Sequence, residues 1–186
     1  MVRGEERERA ILDATTELVS EVGYQAMTMD AVAARARASK ATIYRRWRNK
    51  AELVKAALDV HDAEFNLTIP DTGELRADLV EVVRAARNKA TDRFLGLLNA
   101  LISAARYDPE LAAALREHQE DDELSPFAAC LQRAVARGDL PPDVDMTLVH
   151  DVAEALIMRQ LAIDVPFDDA FIARVVDRVL LPLIQR

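Results

Sequence analysis

Apolar side chains recur at intervals of three and four along nearly every stretch of this chain, and no stretch of any length alternates apolar with polar. Those intervals bring side chains onto one face of a helix, whereas a half-buried strand needs a period of two. A chain patterned in this way can bury its apolar surface only by packing helix against helix. Glycine (5) and proline (7) are scarce among the 186 residues, so helix has few obligatory stops. The expectation is an all-α protein of about nine helices. No run approaches the ~18 apolar residues of a membrane span. The charged start of the chain lacks the apolar stretch of a secretory signal. A lone cysteine, Cys130, suits a reducing compartment and reads as a small residue on a helix face, so a cytoplasmic protein is expected.

The punctuation divides the helices. A first one spans roughly Glu5 to Val22, with Ile11, Ala14, Leu18, Val19 and Val22 as its apolar stripe and Gly23 as its stop. Thr28 caps a short second helix whose inward face is Val32, Ala33 and Ala36. Ser39 caps a third, from about Lys40 to Trp47, and Asn49 caps a fourth that runs into the Phe65 region. The Ile69-Pro70-Asp71-Thr72-Gly73 turn follows as the best domain boundary. Further helices are expected at about Glu74–Ala90, Asp92–Arg106 and from Pro109. A break is expected where the acidic run Glu120–Glu123 meets Ser125-Pro126, and the next helix ends at Gly138. The last two helices fall at about Asp145–Ile163 and Asp168–Ile184.

The net charge of −8 hides a strong asymmetry. Residues 59–186 carry 13 basic and 24 acidic side chains, and residues 1–26 carry three and six. Residues 27–58 reverse the sign, with Arg35, Arg37, Lys40, Arg45, Arg46, Arg48, Lys50 and Lys55 against Asp30 and Glu52. A compact basic block on an acidic body has the form of a local phosphate-binding surface.

The same block has the pattern of a helix-turn-helix. Two short helices that cross steeply need a small residue at the crossing, which Ala33 supplies, and an apolar lock, which Val32 and Ile43 supply. The outward face of the second helix offers Lys40, Thr42, Tyr44, Arg45 and Arg46, with short Ala41 allowing close backbone approach to a major groove. Trp47 reads as a packing residue.

The run Arg9-Ala10-Ile11-Leu12-Asp13-Ala14, then Gly23-Tyr24, Thr28, Val32-Ala33, Ala36, Ser39, Thr42 to Trp47 and Lys50-Ala51-Glu52-Leu53 resembles the DNA-binding domain of tetracycline-repressor (TetR) family regulators. The likeness covers about residues 7–58; the remainder of such proteins diverges widely. It implies a DNA-binding domain at 1–58, with its fourth helix continuing to about 66 as a connector, and a ligand-binding and dimerisation domain at 59–186. It also implies a homodimer through the last two helices (about 145–184), a double-stranded DNA operator that is nearly palindromic, and release by an unknown small-molecule effector. Carried over by position, Thr28 would cap a helix at the phosphate backbone, and Ser39, Lys40, Ala41 and Thr42 would meet base edges or flanking phosphates. Tyr44 would give its hydroxyl to a phosphate, Arg45 and Arg46 would reach bases or backbone, and Lys50 would hold another phosphate. One departure stands out. Such regulators usually place glycine and an aliphatic residue where this chain has Arg37 and Ala38. If the turn needs positive φ, Arg37 costs ~1–2 kcal/mol relative to glycine. It is then either a tolerated exposed substitution or an added phosphate contact.

Other chemistries find no foothold. The three histidines are scattered, and His150 with Glu154 makes at most half a metal site. No phosphate-cradling glycine loop or nucleophile elbow is present, so no enzyme, cofactor or metal is expected. Polar residues within apolar helices suggest either exposed and dimer contacts or an effector pocket formed by Phe94, Leu98, Asn99, Ser103, Arg106, Tyr107 and Glu154. A second class of function stays open on the acidic remainder and Arg37: a helical small-molecule-binding or interaction protein whose helix-turn-helix no longer engages DNA.

Overall fold

A computed structural model describes residues 2–66, 70–119, 125–163 and 165–184, with side chains except those of residues 2, 3 and 93. Among the described residues every regular element is helical. The expected acidic run Glu120–Glu123 and Ile69 of the expected boundary turn lie outside them. No helix is long and apolar enough to cross a membrane.

Two compact units form: residues 1–62 with 91–120, and residues 63–90 with 121–186. The first contains α1 (Val2–Ala26), α2 (Met29–Arg35), α3 (Lys40–Tyr44) and most of α4 (Lys50–Asn66). The chain leaves it for α5 (Leu75–Lys89) and returns for α6 (Asp92–Ala105) and α7 (Pro109–Gln119). Thus α6, which packs on α1, belongs with the N-terminal helices. The core of this unit gathers Ile11, Leu12, Leu18 and Val19 from α1, Val32 and Ala33 from α2, Ile43 from α3, Leu53 and Val54 from α4, and Leu101 and Leu111 from α6 and α7.

Gly23 breaks α1 as expected: at φ 80°, ψ 160° it occupies backbone space closed to residues with a Cβ, and the chain turns there. Val22 does not join the apolar stripe. It is 51% exposed, because the bend begins beside it and carries it off the buried face. The third helix is also shorter than expected. It ends at Tyr44, and Arg46 N–H donates to Ile43 C=O in a tightened last turn, which turns Trp47 into the core.

The second unit holds α5, α8 (Pro126–Arg137), α9 (Met146–Ala162) and α10 (Asp169–Val175). α10 runs through a π turn at Val176–Leu180 into α11 (Leu181–Ile184). Sequence reading expected a plain helix over Asp168–Ile184. Pro182 explains the difference, since it has no N–H to give the carbonyl four residues back and its ring crowds that carbonyl. Ser125 and Pro126 start α8 by capping, the hydroxyl accepting from Ala128 N–H at 3.1 Å. Gly138 ends it at φ 85°. Leu79, Val82, Leu131, Val149, Ile172, Val176 and Leu180 lie within the core. Asp78 is fully buried there, its carboxylate accepting from Thr72 N–H at 2.7 Å, from the Thr72 hydroxyl at 2.5 Å and from Arg137 at 3.2 Å. Burial opposes that charge, yet these bonds outweigh it and hold the carboxyl below its ordinary value.

Candidate nucleic-acid interface

The geometry of the α2–α3 pair follows from short-range chemistry. Thr28 Oγ1 accepts from Ala31 N–H at 3.1 Å and starts α2. Ser39 Oγ accepts from Thr42 N–H at 3.1 Å and starts α3. The Ser39 and Thr42 hydroxyls also bond each other at 2.8 Å, which leaves one O–H of the two directed elsewhere. Between the helices, Ala38 N–H donates to Ala33 C=O at 2.9 Å and Arg37 N–H to Ala34 C=O at 3.3 Å. This is the paired-bond ending that requires a left-handed residue at its centre. Arg37 takes that position at φ 49°, the one described residue other than glycine with positive φ. The turn therefore does impose the strain foreseen for an arginine there. Val32 and Ile43, both 0% exposed, clamp the pair from beneath, and Trp47 is buried beside them.

With the apolar side held down, Arg37, Ser39, Lys40, Ala41, Tyr44, Arg45 and Arg46 are all exposed, and Thr28 is exposed at the start of α2. Thr42 is half-buried. Tyr44 presents its ring and hydroxyl at 52% exposure.

Lys50 is placed differently from its neighbours. Its ammonium donates to Tyr24 C=O at 2.8 Å and sits 4.0 Å over the Tyr24 ring. Burial lowers its pKa, partly offset by nearby Asp108. This lysine ties the start of α4 to the end of α1. The Tyr24 hydroxyl is pushed up by burial and by the neighbouring Asp108 carboxylate. Asp108 also caps α7, accepting from Leu111 N–H at 3.0 Å.

Most of the basic block proves to be internally engaged. Arg35 makes two 2.7 Å bonds to Glu21. Lys40 meets Asp30 at 2.5 Å, Arg46 meets Glu8, and Arg48 meets Glu52 at 3.0 Å. Lys55 meets Asp59 at 2.8 Å. Of the eight cations in the block, only Arg37 and Arg45 have no side-chain ion pair or hydrogen bond among the described residues. Composition counted eight equivalent cations; packing sorts them into two uncommitted and six engaged.

A second polar cluster joins α4 to α7, which sequence reading missed because its members lie far apart in the chain. His118 Nδ1 bonds Asp59 at 2.7 Å, and Nε2 lies 3.5 Å from Asp62. Burial works against the imidazolium, but the two carboxylates prevail and raise its pKa to about 9.

The residues expected to form an effector pocket are dispersed. Phe94 is half-buried and stacks on His61 with centroids 5.4 Å apart, and Leu98 is half-buried. Asn99, Ser103, Arg106 and Tyr107 are exposed, Tyr107 to 85%. Glu154 belongs to the second unit, where it lies 3.4 Å from His150 Nε2. His150 Nδ1 in turn meets the Ser125 hydroxyl at 2.8 Å.

Two family models match the chain. One, for bacterial regulatory proteins of the tetR family, covers residues 11–57, and one, for the C-terminal domain of tetracyclin repressor-like proteins, covers residues 69–179. A protein of Mycobacteroides abscessus described as the DNA-binding transcriptional repressor TetR is 51% identical over 185 residues, spanning 100% of this chain and 97% of that one. The chain belongs to the TetR family. It is a DNA-binding transcriptional regulator. An uncharacterized HTH-type transcriptional regulator of Mycobacterium tuberculosis is 34% identical over 181 residues, 97% of this chain and 89% of that one. The crystal structure of the TetR family transcription regulator SCO0332 superposes with a TM-score of 0.72 at 34% identity, covering 94% of this chain and 97% of that one.

Proposed function

We propose that this TetR-family regulator is a cytoplasmic repressor that binds a nearly palindromic operator as a homodimer and lets go when a small molecule binds. The observation that carries the DNA side is the pair of uncommitted guanidiniums, Arg37 and Arg45, exposed together with Tyr44 on an α2–α3 unit locked from below by Val32 and Ile43. Two recognition helices held about 34–36 Å apart enter successive major grooves. Arg45 reads bases, Arg37 and Tyr44 hold phosphates, and the outward hydroxyls of Thr28 and of the Ser39–Thr42 pair add backbone contacts. Lys40 and Arg46 join them by leaving their carboxylate partners, and Ala41 keeps the helix close to the bases. Lys50 reaches a phosphate only by giving up Tyr24.

The dimer is proposed to form through residues 145–184, a reading supported by apolar Leu148 and Ile163 standing 43% and 48% exposed. Functionally, 1–58 would serve as the DNA-binding part, with α4 as its connector, and 59–186 as the effector and dimer part. An effector pocket belongs to the same proposal and rests on the family resemblance; of the residues expected to form it, Phe94 and Leu98 are half-buried within the first unit. The repressor described from Mycobacteroides abscessus supports repression as the direction of control.

The test is binding to duplex DNA from upstream of the chain's own gene, followed by fluorescence anisotropy across a salt series. Log affinity should fall linearly with log salt, by about 0.9 for each phosphate neutralised. Arg45→Ala should weaken binding and relax sequence preference at one position by about 1–3 kcal/mol. A flat salt response, or an Arg45→Ala protein that binds as the parent does, refutes the reading.

A further inference from the structure

The recognition surface carries its own competitors for DNA. Lys40 opens α3, and its ammonium lies 2.5 Å from the Asp30 carboxylate in the first turn of α2. Arg46, just past the end of α3, is held by Glu8 of α1. Both pairs are exposed, lie within the first unit and bridge elements ten and thirty-eight residues apart. Neither carboxylate is needed to fill the core, since Asp30 is exposed and Glu8 only half-buried. In sequence the two paired cations stand on either side of the uncommitted Arg45, so α3 and the two residues that follow it offer one available cation and two that are already neutralised.

We propose that Asp30 and Glu8 are specificity-determining residues, which hold Lys40 and Arg46 as internal phosphate surrogates and thereby suppress affinity for DNA that lacks the operator sequence. The inference rests on the DNA-binding reading of this surface. Its physical basis is ion exchange. When a solvated lysine meets a phosphate, the DNA gives up a condensed cation and gains entropy. When Lys40 must first leave Asp30, the released carboxylate takes a cation up from solution, and the net release nearly cancels. A held cation therefore contributes little to indiscriminate, phosphate-led binding. It moves only when base contacts by its neighbours, available solely on the operator, bring the phosphate into the right place. Asp30 and Glu8 also repel the backbone of any misplaced duplex.

The experiment uses the full chain and a fluorescent duplex of random sequence, about 30 base pairs long, enough to span two major-groove contacts one turn apart. Anisotropy titrations across a salt series compare the parent with Asp30→Asn, Glu8→Gln and the double substitution. Each single change should tighten random-sequence binding by about two- to fivefold, the range of an exposed ion pair, and steepen the salt slope by up to about 0.9 per subunit bound. The deciding arm is Asp30→Asn placed in a Lys40→Gln background, where the gain should shrink by at least half. A gain that persists undiminished there means general repulsion and overturns the role of the Lys40 pair. Equal salt slopes for the parent and the double substitution overturn the proposal as a whole. Should Asp30→Asn unsettle α2, Glu8→Gln on α1 tests the idea independently through Arg46. Failure of the parent to bind any duplex even at low salt would instead strike the DNA-binding reading.

Discussion

Replacing Arg37 with glycine should stabilise the protein while weakening its hold on DNA. Arg37 sits at φ 49° in the turn between α2 and α3. A residue with a Cβ pays about 1–2 kcal/mol to adopt that left-handed conformation. Glycine removes this cost but gives the unfolded chain extra freedom, worth about 0.4–1 kcal/mol against folding. The balance is a gain of about 0.5–1 kcal/mol, or roughly a 1–4 °C rise in Tm for a chain of this size. No ion pair or side-chain hydrogen bond is lost, because the guanidinium makes none among the described residues. Arg37→Ala is the control, since alanine removes the charge and keeps the strained backbone. It should leave stability within about 0.5 kcal/mol of the parent. In DNA titrations the two variants should behave alike, each losing up to about 0.9 of salt slope per subunit. Urea unfolding followed by far-UV circular dichroism gives the first quantity and anisotropy the second. A glycine variant no more stable than the alanine one would refute the strain argument, and unchanged salt slopes in both would refute the phosphate contact.

Three further outcomes follow from the core and the buried ionisable groups. Ile43→Ala empties a fully buried site beneath the recognition helix, and should cost about 2–5 kcal/mol in urea unfolding; a loss under 1 kcal/mol would mean that α3 is not anchored there. His118 titrates at about 9 in the fold against an ordinary 6.5, so its stabilising effect is complete below 6.5 and disappears as pH rises through 9. Over that window stability should drop with a slope of up to about 1.4 kcal/mol per pH unit, and His118→Gln should flatten the profile. Cys130 is fully buried, and burial pushes its thiol to about 12, so a chromogenic disulfide reagent should label it only after denaturation; rapid labelling of the folded protein would contradict its core position.

Whatever depends on residues within about four positions of each other was legible before any coordinates. The helical period, the Thr28 and Ser39 caps and the Gly23 and Gly138 stops are local chemistry, and the apolar lock of Val32 on Ile43 was legible through the helix-turn-helix pattern that contains both. They determine an all-helical chain with a helix-turn-helix near its start, and Thr28 to Trp47 carry the family resemblance through those same features. The tight ending of α3 at Tyr44 and the π turn ahead of Pro182 departed from that reading by a turn or so, because propensity leaves helix ends to be settled by what they pack against.

Which cations remain available is a different kind of question. Lys40 and Asp30 are ten residues apart, Arg46 and Glu8 thirty-eight, and His118 and Asp59 fifty-nine. Their meeting depends on how α1, α2, α4 and α7 pack, and Coulomb attraction between exposed groups is too weak to dictate that packing in advance. The same holds for the return of α6 and α7 to the N-terminal unit and for the exposure of Val22 beside Gly23. The amino-acid order by itself determined the helices and the class of surface they present. Only the tertiary structure decided which charges on that surface are already neutralised, because burial and long-range contact are properties of the packed chain as a whole.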